Sequence, residues 1–152
     1  MLFPSRLRRA VLAVAVSTAT AAGLAVATAP PASAAVCSGT SGVTVVVNFG
    51  SLGGGVQTVC APGDPATGLA ALTGAKFTYA FVPRQPGFVC QINVKPNPCN
   101  GAPSNAYWSY WHANRGGAWT YSTSGAGSYN PAPGKVEGWS FGAGTKPTTT
   151  AP

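Results

Sequence analysis

From residue 43 onward, apolar and polar positions alternate with a period of two over most of the chain, the signature of half-buried strands. Residues 43–49 (VTVVVNF) form a β-branched run that predicts a buried strand. Residues 56–60 predict a second, and Gly50, Gly53, Gly54 and Gly55 between them predict a hairpin loop. No Gly-Lys-Ser/Thr and no helix start follow these glycines, so they do not read as a phosphate cradle. The alternation returns at residues 77–82, 88–93, 107–112, 118–122 and 136–141, with Gly-, Pro- and Asn-rich turns between. Only one segment has helical spacing. Leu69 and Leu72 lie three apart on one face, Asp64 suits an N-cap, Pro65 suits the first helical position, and Gly74 supplies a stop. One short helix among about seven strands predicts an α+β domain over residues 35–142. Antiparallel sheet would wrap over the helix and bring Leu69 and Leu72 against residues 43–49. Residues 143–152, rich in Gly, Thr and Pro without apolar periodicity, predict a disordered tail.

The start of the chain has a different pattern. Arg6, Arg8 and Arg9 precede an apolar run over residues 10–29, then Pro30, Pro31 and Ala32-Ser33-Ala34. This is the layout of a signal peptide over residues 1–34, cleaved after Ala34. A spanning helix needs about 20 strongly apolar residues. This run is mostly Ala and carries Thr18, Thr20 and Thr28. Val36 stands before Cys37, so a lipid-modified Cys at the mature terminus is not expected. The expected location is extracellular, free or associated with the cell envelope.

Cleavage changes the charge and leaves the cysteines intact. Beyond residue 34, Lys76, Arg84, Lys95, Arg115, Lys135 and Lys146 face Asp64 and Glu137, a net formal charge of about +4. These cations are scattered rather than striped, which argues against nucleic acid as a partner. Cys37, Cys60, Cys90 and Cys99 read as two disulfides in an exported chain. Counting leaves three pairings open. Pro96, Asn97 and Pro98 make a turn between Cys90 and Cys99, which points to a local bridge and leaves Cys37 with Cys60. Zinc-binding cysteines come in tighter pairs, so no metal site is expected.

Beyond residue 34 there is one His, one Asp and one Glu. Acid–base catalysis needs several placed titratable groups, so no enzyme is expected. His112 reads as a hydrogen-bonded or solvated strand residue ahead of a metal ligand. The aromatics carry more information. Tyr107, Trp108, Tyr110, Trp111, Trp119, Tyr121, Tyr129 and Trp139 crowd one stretch. A period of two places Trp108, Tyr110 and His112 on one strand face and Tyr107, Ser109 and Trp111 on the other. A domain of this size does not easily bury both faces, so one is expected to be core and the other an aromatic surface that meets a ligand. The expected contacts are Trp108, Tyr110, His112 and Trp119, with Tyr107 and Trp111 taking their place if the register is reversed.

The helical segment at residues 64–74, GFVCQIN at 87–93, YWSYW at 107–111 and GKVEGWSF at 134–141 occur in an order that resembles the C-terminal (β) domain of the transcobalamin and intrinsic factor family and its stand-alone bacterial relatives. The resemblance covers residues 43–141. It implies a β-grasp-like domain and a secreted module that captures cobalamin or a related soluble ligand, with no resident cofactor. A lone β domain offers half of such a site, so the resemblance also implies a separate helical α-type protein or a membrane importer as partner. Lys135 departs from the family pattern, which often has Asp after the late Gly. The competing expectation is an extracellular interaction or structural protein whose aromatic face binds a protein or glycan.

Overall fold

A computed structural model describes residues 35–152; the expected signal peptide at residues 1–34 lies outside the described residues. The β-branched run becomes the centre of the fold, as strand β1 (Gly42–Asn48), every residue of which is buried. It pairs antiparallel with β2 (Val56–Pro62) across the predicted glycine-rich hairpin. Helix α1 (Gly68–Gly74) follows. Next come β3 (Tyr79–Val82) and β4 (Gln85–Ile92), then β5 (Tyr107–Asn114), β6 (Thr120–Tyr121) and β7 (Lys135–Gly142). Five strands form one sheet in the order β2-β1-β7-β5-β6, and β3 and β4 form a separate hairpin. The main sheet is mixed rather than antiparallel throughout, because β7 returns parallel to β1. Such a parallel neighbour needs a long crossover, here everything from β2 to β7. Strand β6 is shorter than residues 118–122 predicted, since only Trp111–Tyr121 and His112–Thr120 pair.

The helix begins later than Asp64 and Pro65 suggested. Thr67 is the N-cap, in extended backbone conformation, and its Oγ1 accepts the Ala70 N–H at 3.0 Å. Packing selects this start. The first helical residue, Gly68, lies so close to Tyr110 and Glu137 that a Cβ there would overlap the Tyr110 side chain. Leu72 is fully buried in one cluster with Val43, Val45, Val47, Phe49, Trp108, Tyr110, Trp139 and Phe141, and Leu69 packs at its margin. The helix therefore meets β1 as its leucine spacing predicted. Trp108 sits edge-on to both Phe49 and Phe141, each at 5.4 Å between ring centres.

The opposite face of the sheet is also covered, and residues 143–152 cover it. Ala151 is buried with Val46, Ala113 and Val136, beside Trp119. Four hydrogen bonds hold the segment: Trp119 Nε1 to the Thr149 carbonyl at 2.7 Å, Gly116 N–H to the Ala151 carbonyl at 2.8 Å, Asn48 Nδ2 to Thr148 Oγ1 at 3.3 Å, and Ser109 Oγ to the Thr145 carbonyl at 3.5 Å. Gly138 has no room for a side chain, because a Cβ would stand 2.6 Å from the Trp119 ring and 3.0 Å from Pro147. The expected disordered tail is thus a strap. Its Thr and Pro residues lack apolar periodicity because it binds by backbone carbonyls and a few small side chains.

Both disulfides form as the turn at Pro96–Pro98 suggested, Cys37 with Cys60 and Cys90 with Cys99. The first ties the residues ahead of β1 to β2; the second closes the loop that follows β4. Lys95 in that loop reaches across the molecule, its Nζ donating to the carbonyls of Leu52 at 3.0 Å and Gly53 at 2.8 Å. The Lys95 carbonyl accepts the Trp108 indole N–H at 3.0 Å. No helix among the described residues is long and apolar enough to cross a membrane.

Candidate functional site: an aromatic cleft beside strand β5

Alternation along β5 sends Trp108, Tyr110 and His112 to the face that carries α1, and Tyr107, Ser109 and Trp111 to the strapped face. Trp108 and Tyr110 are therefore mostly core. They still form the floor of a cleft of about 190 Å³, together with Trp139. One wall is the start of β4 at Gly87, Phe88 and Val89; the other is Tyr121 and the loop at residues 122–126. The two rims carry exposed aromatics, Phe88 at 41% and Tyr121 at 45%. Large exposed aromatic rings cost hydration free energy, and here two of them face one cleft.

The rim is held in place. Tyr121 stands edge-on to Trp111, 4.9 Å between ring centres, and its hydroxyl lies 3.3 Å from that of Tyr107. The hydrogen bond with Tyr107, reinforced by burial, pushes the Tyr121 phenol up to about 12. The Tyr121 hydroxyl thus stays protonated. Trp111 itself turns away from the cleft, its indole N–H donating to Ser109 Oγ at 2.9 Å. Trp119 lies beneath the strap, away from the cleft.

Beneath the cleft floor is a buried acid. Glu137 is fully buried on β7, and its Oε2 accepts the Tyr110 hydroxyl. Among the described residues no group bonds its Oε1. Burial pushes the carboxyl up to about 8, partly offset by the Tyr110 hydrogen bond. Burial, then the charge of Glu137, pushes the Tyr110 phenol far up as well. At neutral pH the pair is a carboxylic acid and a phenol, not an ion pair.

His112 goes elsewhere. Its ring stacks flat on Tyr129, with centres 4.7 Å apart and planes 6° apart. Tyr129 also stands edge-on to Tyr110 at 6.0 Å. This ring marks the end of the aromatic stretch of β5, and beyond it His112 lines a different, polar pocket. Of the six expected contacts, Tyr107, Trp108 and Tyr110 gather at the cleft, and His112, Trp111 and Trp119 lie apart from it. Phe88, Tyr121 and Trp139 join the cleft without having been expected there. Trp139 was legible as the cross-strand partner of Tyr110 only once the β5–β7 register is known. Phe88 belongs to a separate sheet, and nothing in the local pattern ties it to β5.

The expectation of no enzyme rests in part on the lack of a Gly-x-Ser-x-Gly nucleophile elbow, yet residues 138–142 (GWSFG) fit that pattern. An elbow needs an exposed serine on a strand-to-helix turn. Here the motif lies within β7, Ser140 is 1% exposed, and it faces the strap while His112 faces the other side of the sheet. The motif is sheet interior.

A family model described as an SCO2322-like domain matches residues 100–152, from just before β5 to the end of the strap. No curated protein and no solved structure matches the chain.

Proposed function

We propose that this chain is an exported small-ligand-binding module that works without catalysis, its contact surface being the aromatic cleft between β4 and the loop after β6. The observation that carries this reading is the arrangement of the two exposed rim aromatics, Phe88 and Tyr121, above a floor of Trp108, Tyr110 and Trp139 that the core holds rigid. A preformed aromatic slot binds flat or ring-shaped groups with little ordering cost. Its volume of about 190 Å³ is below the roughly 300–1,000 Å³ of a pocket that encloses a whole drug-sized ligand. It therefore takes one ring-sized part of a larger molecule and leaves the rest to a second protein, which fits the half-site expected of a lone transcobalamin-like β domain. The strand order supports the β-grasp-like reading: a parallel central pair β1–β7, flanked by β2 and β5, with the helix following β2. Two disulfides and the absence of free cysteines support export.

The test is titration of the purified oxidised protein with cobalamin and cobinamide, followed by tryptophan fluorescence and calorimetric heat. Trp108 and Tyr110 are unsuitable targets because their loss would damage the core. Phe88→Ala and Tyr121→Ala leave the core intact and should each weaken binding about tenfold, as loss of a ring contact worth 1 kcal/mol or more predicts. Absence of saturable binding to either compound would overturn the corrinoid assignment. Unchanged affinity in both folded variants would overturn the cleft.

A further inference from the structure

The pocket beyond Tyr129 is built from the same strand by the same alternation, but its chemistry is different. It has a volume of about 280 Å³. In the sheet register, Asn114 lies opposite Lys135, and His112 lies between Glu137 on β7 and Thr120 on β6. Residues opposite one another share a face, so β6, β5 and β7 present Thr120, His112, Asn114 and Lys135 together. All four line the pocket. Glu137 shares this face but is buried under Tyr110 and does not reach the pocket. Asp64, the only other acid after residue 34, is not in its lining. The pocket thus contains hydrogen-bond donors and a cation with no carboxylate to compete.

We propose that this pocket is an oxyanion site, accepting a phosphate or carboxylate group of a small molecule. Lys135 Nζ donates to Asn114 Oδ1. That bond leaves the ammonium two further hydrogens and leaves the NH₂ of the same amide as a further donor. The Thr120 hydroxyl and an imidazole N–H of His112 complete the set. Stacking on Tyr129 fixes the plane of the imidazole, so its N–H direction is set before any ligand arrives. A charge-assisted bond from Lys to an oxyanion is stronger than a neutral one. Its volume is several times that of a water molecule, which leaves room for the organic part of a larger anion. This site is separate from the aromatic cleft and stands or falls independently of it.

The probes are inorganic phosphate and acetate, each added to the isotopically labelled full protein at constant pH and ionic strength, with sodium chloride as the reference titration. Nuclear magnetic resonance reports the Gly117 and Ala118 amides and the His112 ring. Saturable shifts at these positions with phosphate, acetate or both, absent with chloride, are the expected result. Phosphate alone would assign a phosphate-bearing ligand, and acetate alone a carboxylate-bearing one. Lys135→Gln removes the cation, and His112→Phe keeps the stack on Tyr129 while removing the donor. The first should weaken binding about tenfold, the loss of one charge-assisted hydrogen bond, and the second about threefold or more, the loss of one hydrogen-bond donor. The spectrum itself shows whether each variant is folded. Linear shifts that match chloride, or saturation unchanged in both folded variants, would overturn the proposal.

Discussion

Replacing Glu137 by Gln should remove the fall in stability with rising pH that this carboxyl imposes. In the unfolded chain this carboxyl ionises near 4.5; in the fold, burial pushes it up to about 8. Below 4.5 it is protonated in both states and contributes nothing to the pH dependence. Between 4.5 and 8 the folded state holds a proton that the unfolded state has released, so unfolding free energy falls as pH rises, by up to about 1.4 kcal/mol per unit. Above 8 the group is ionised in both states and the full penalty is present, on the order of 5 kcal/mol, a large share of a typical domain's 5–15 kcal/mol. The groups around it do not rescue the anion. Tyr110 donates one hydrogen bond, Tyr129 packs on Tyr110, and the cross-strand neighbour His112 is turned onto Tyr129. Gln keeps an oxygen to accept from Tyr110 but brings an NH₂ into a site where Oε1 has no partner, at a cost of about 1–3 kcal/mol. Urea unfolding at pH 5, 6, 7, 8 and 9 should therefore find the wild type more stable at pH 5 and E137Q more stable at pH 9, with the curves crossing. Titrating groups that do not interact with Glu137 are common to both proteins and cancel in the difference. Parallel curves would refute the claim that this carboxyl is neutral in the fold.

Three further outcomes follow from the packing. Gly68→Ala forces a methyl into the Tyr110 side chain at the first turn of α1, and should lower stability by about 1–3 kcal/mol or more despite the better helix propensity of Ala, measured by urea melting. Ending the chain after Gly142 removes the strap from Val46, Ala113 and Val136 and leaves the Trp119 N–H unpaired, so the shortened protein should melt lower and bind a hydrophobic dye that the full chain does not; equal melting temperatures and no dye binding would show that the strap is dispensable. Lys95→Met keeps most of the aliphatic stem but leaves the Leu52 and Gly53 carbonyls without their donor, and should cost about 1–3 kcal/mol, with faster amide exchange confined to residues 50–55 and 93–99; uniform exchange rates would contradict the link.

Local pattern was enough to locate the strands and to place Leu72 against β1, because a β-branched run and a three-residue leucine spacing each have one economical way to bury their apolar faces. The Cys90–Cys99 pairing was legible for a similar reason, since Pro96 and Pro98 make the intervening stretch turn. The start of α1 was not. Asp64 has the better capping chemistry by composition, yet Thr67 caps, because Gly68 is the residue small enough to pass Tyr110 and Glu137. That constraint comes from strands far along the chain.

The same division runs through the functional residues. Alternation along β5 established by itself that Trp108, Tyr110 and His112 share a face, since the pleat allows nothing else. Only the tertiary structure decided that both faces of the sheet are covered, because a segment without apolar periodicity lies across one of them through backbone hydrogen bonds that no side-chain pattern records. Only the β5–β7 register set Glu137 under Tyr110 and Lys135 opposite Asn114, and only the docking of the β3–β4 hairpin brought Phe88 to the cleft. Periodicity is a property of neighbours in the chain and is written in the sequence. Which strands become neighbours is settled by burial of the whole domain at once, and the pockets form at those joins.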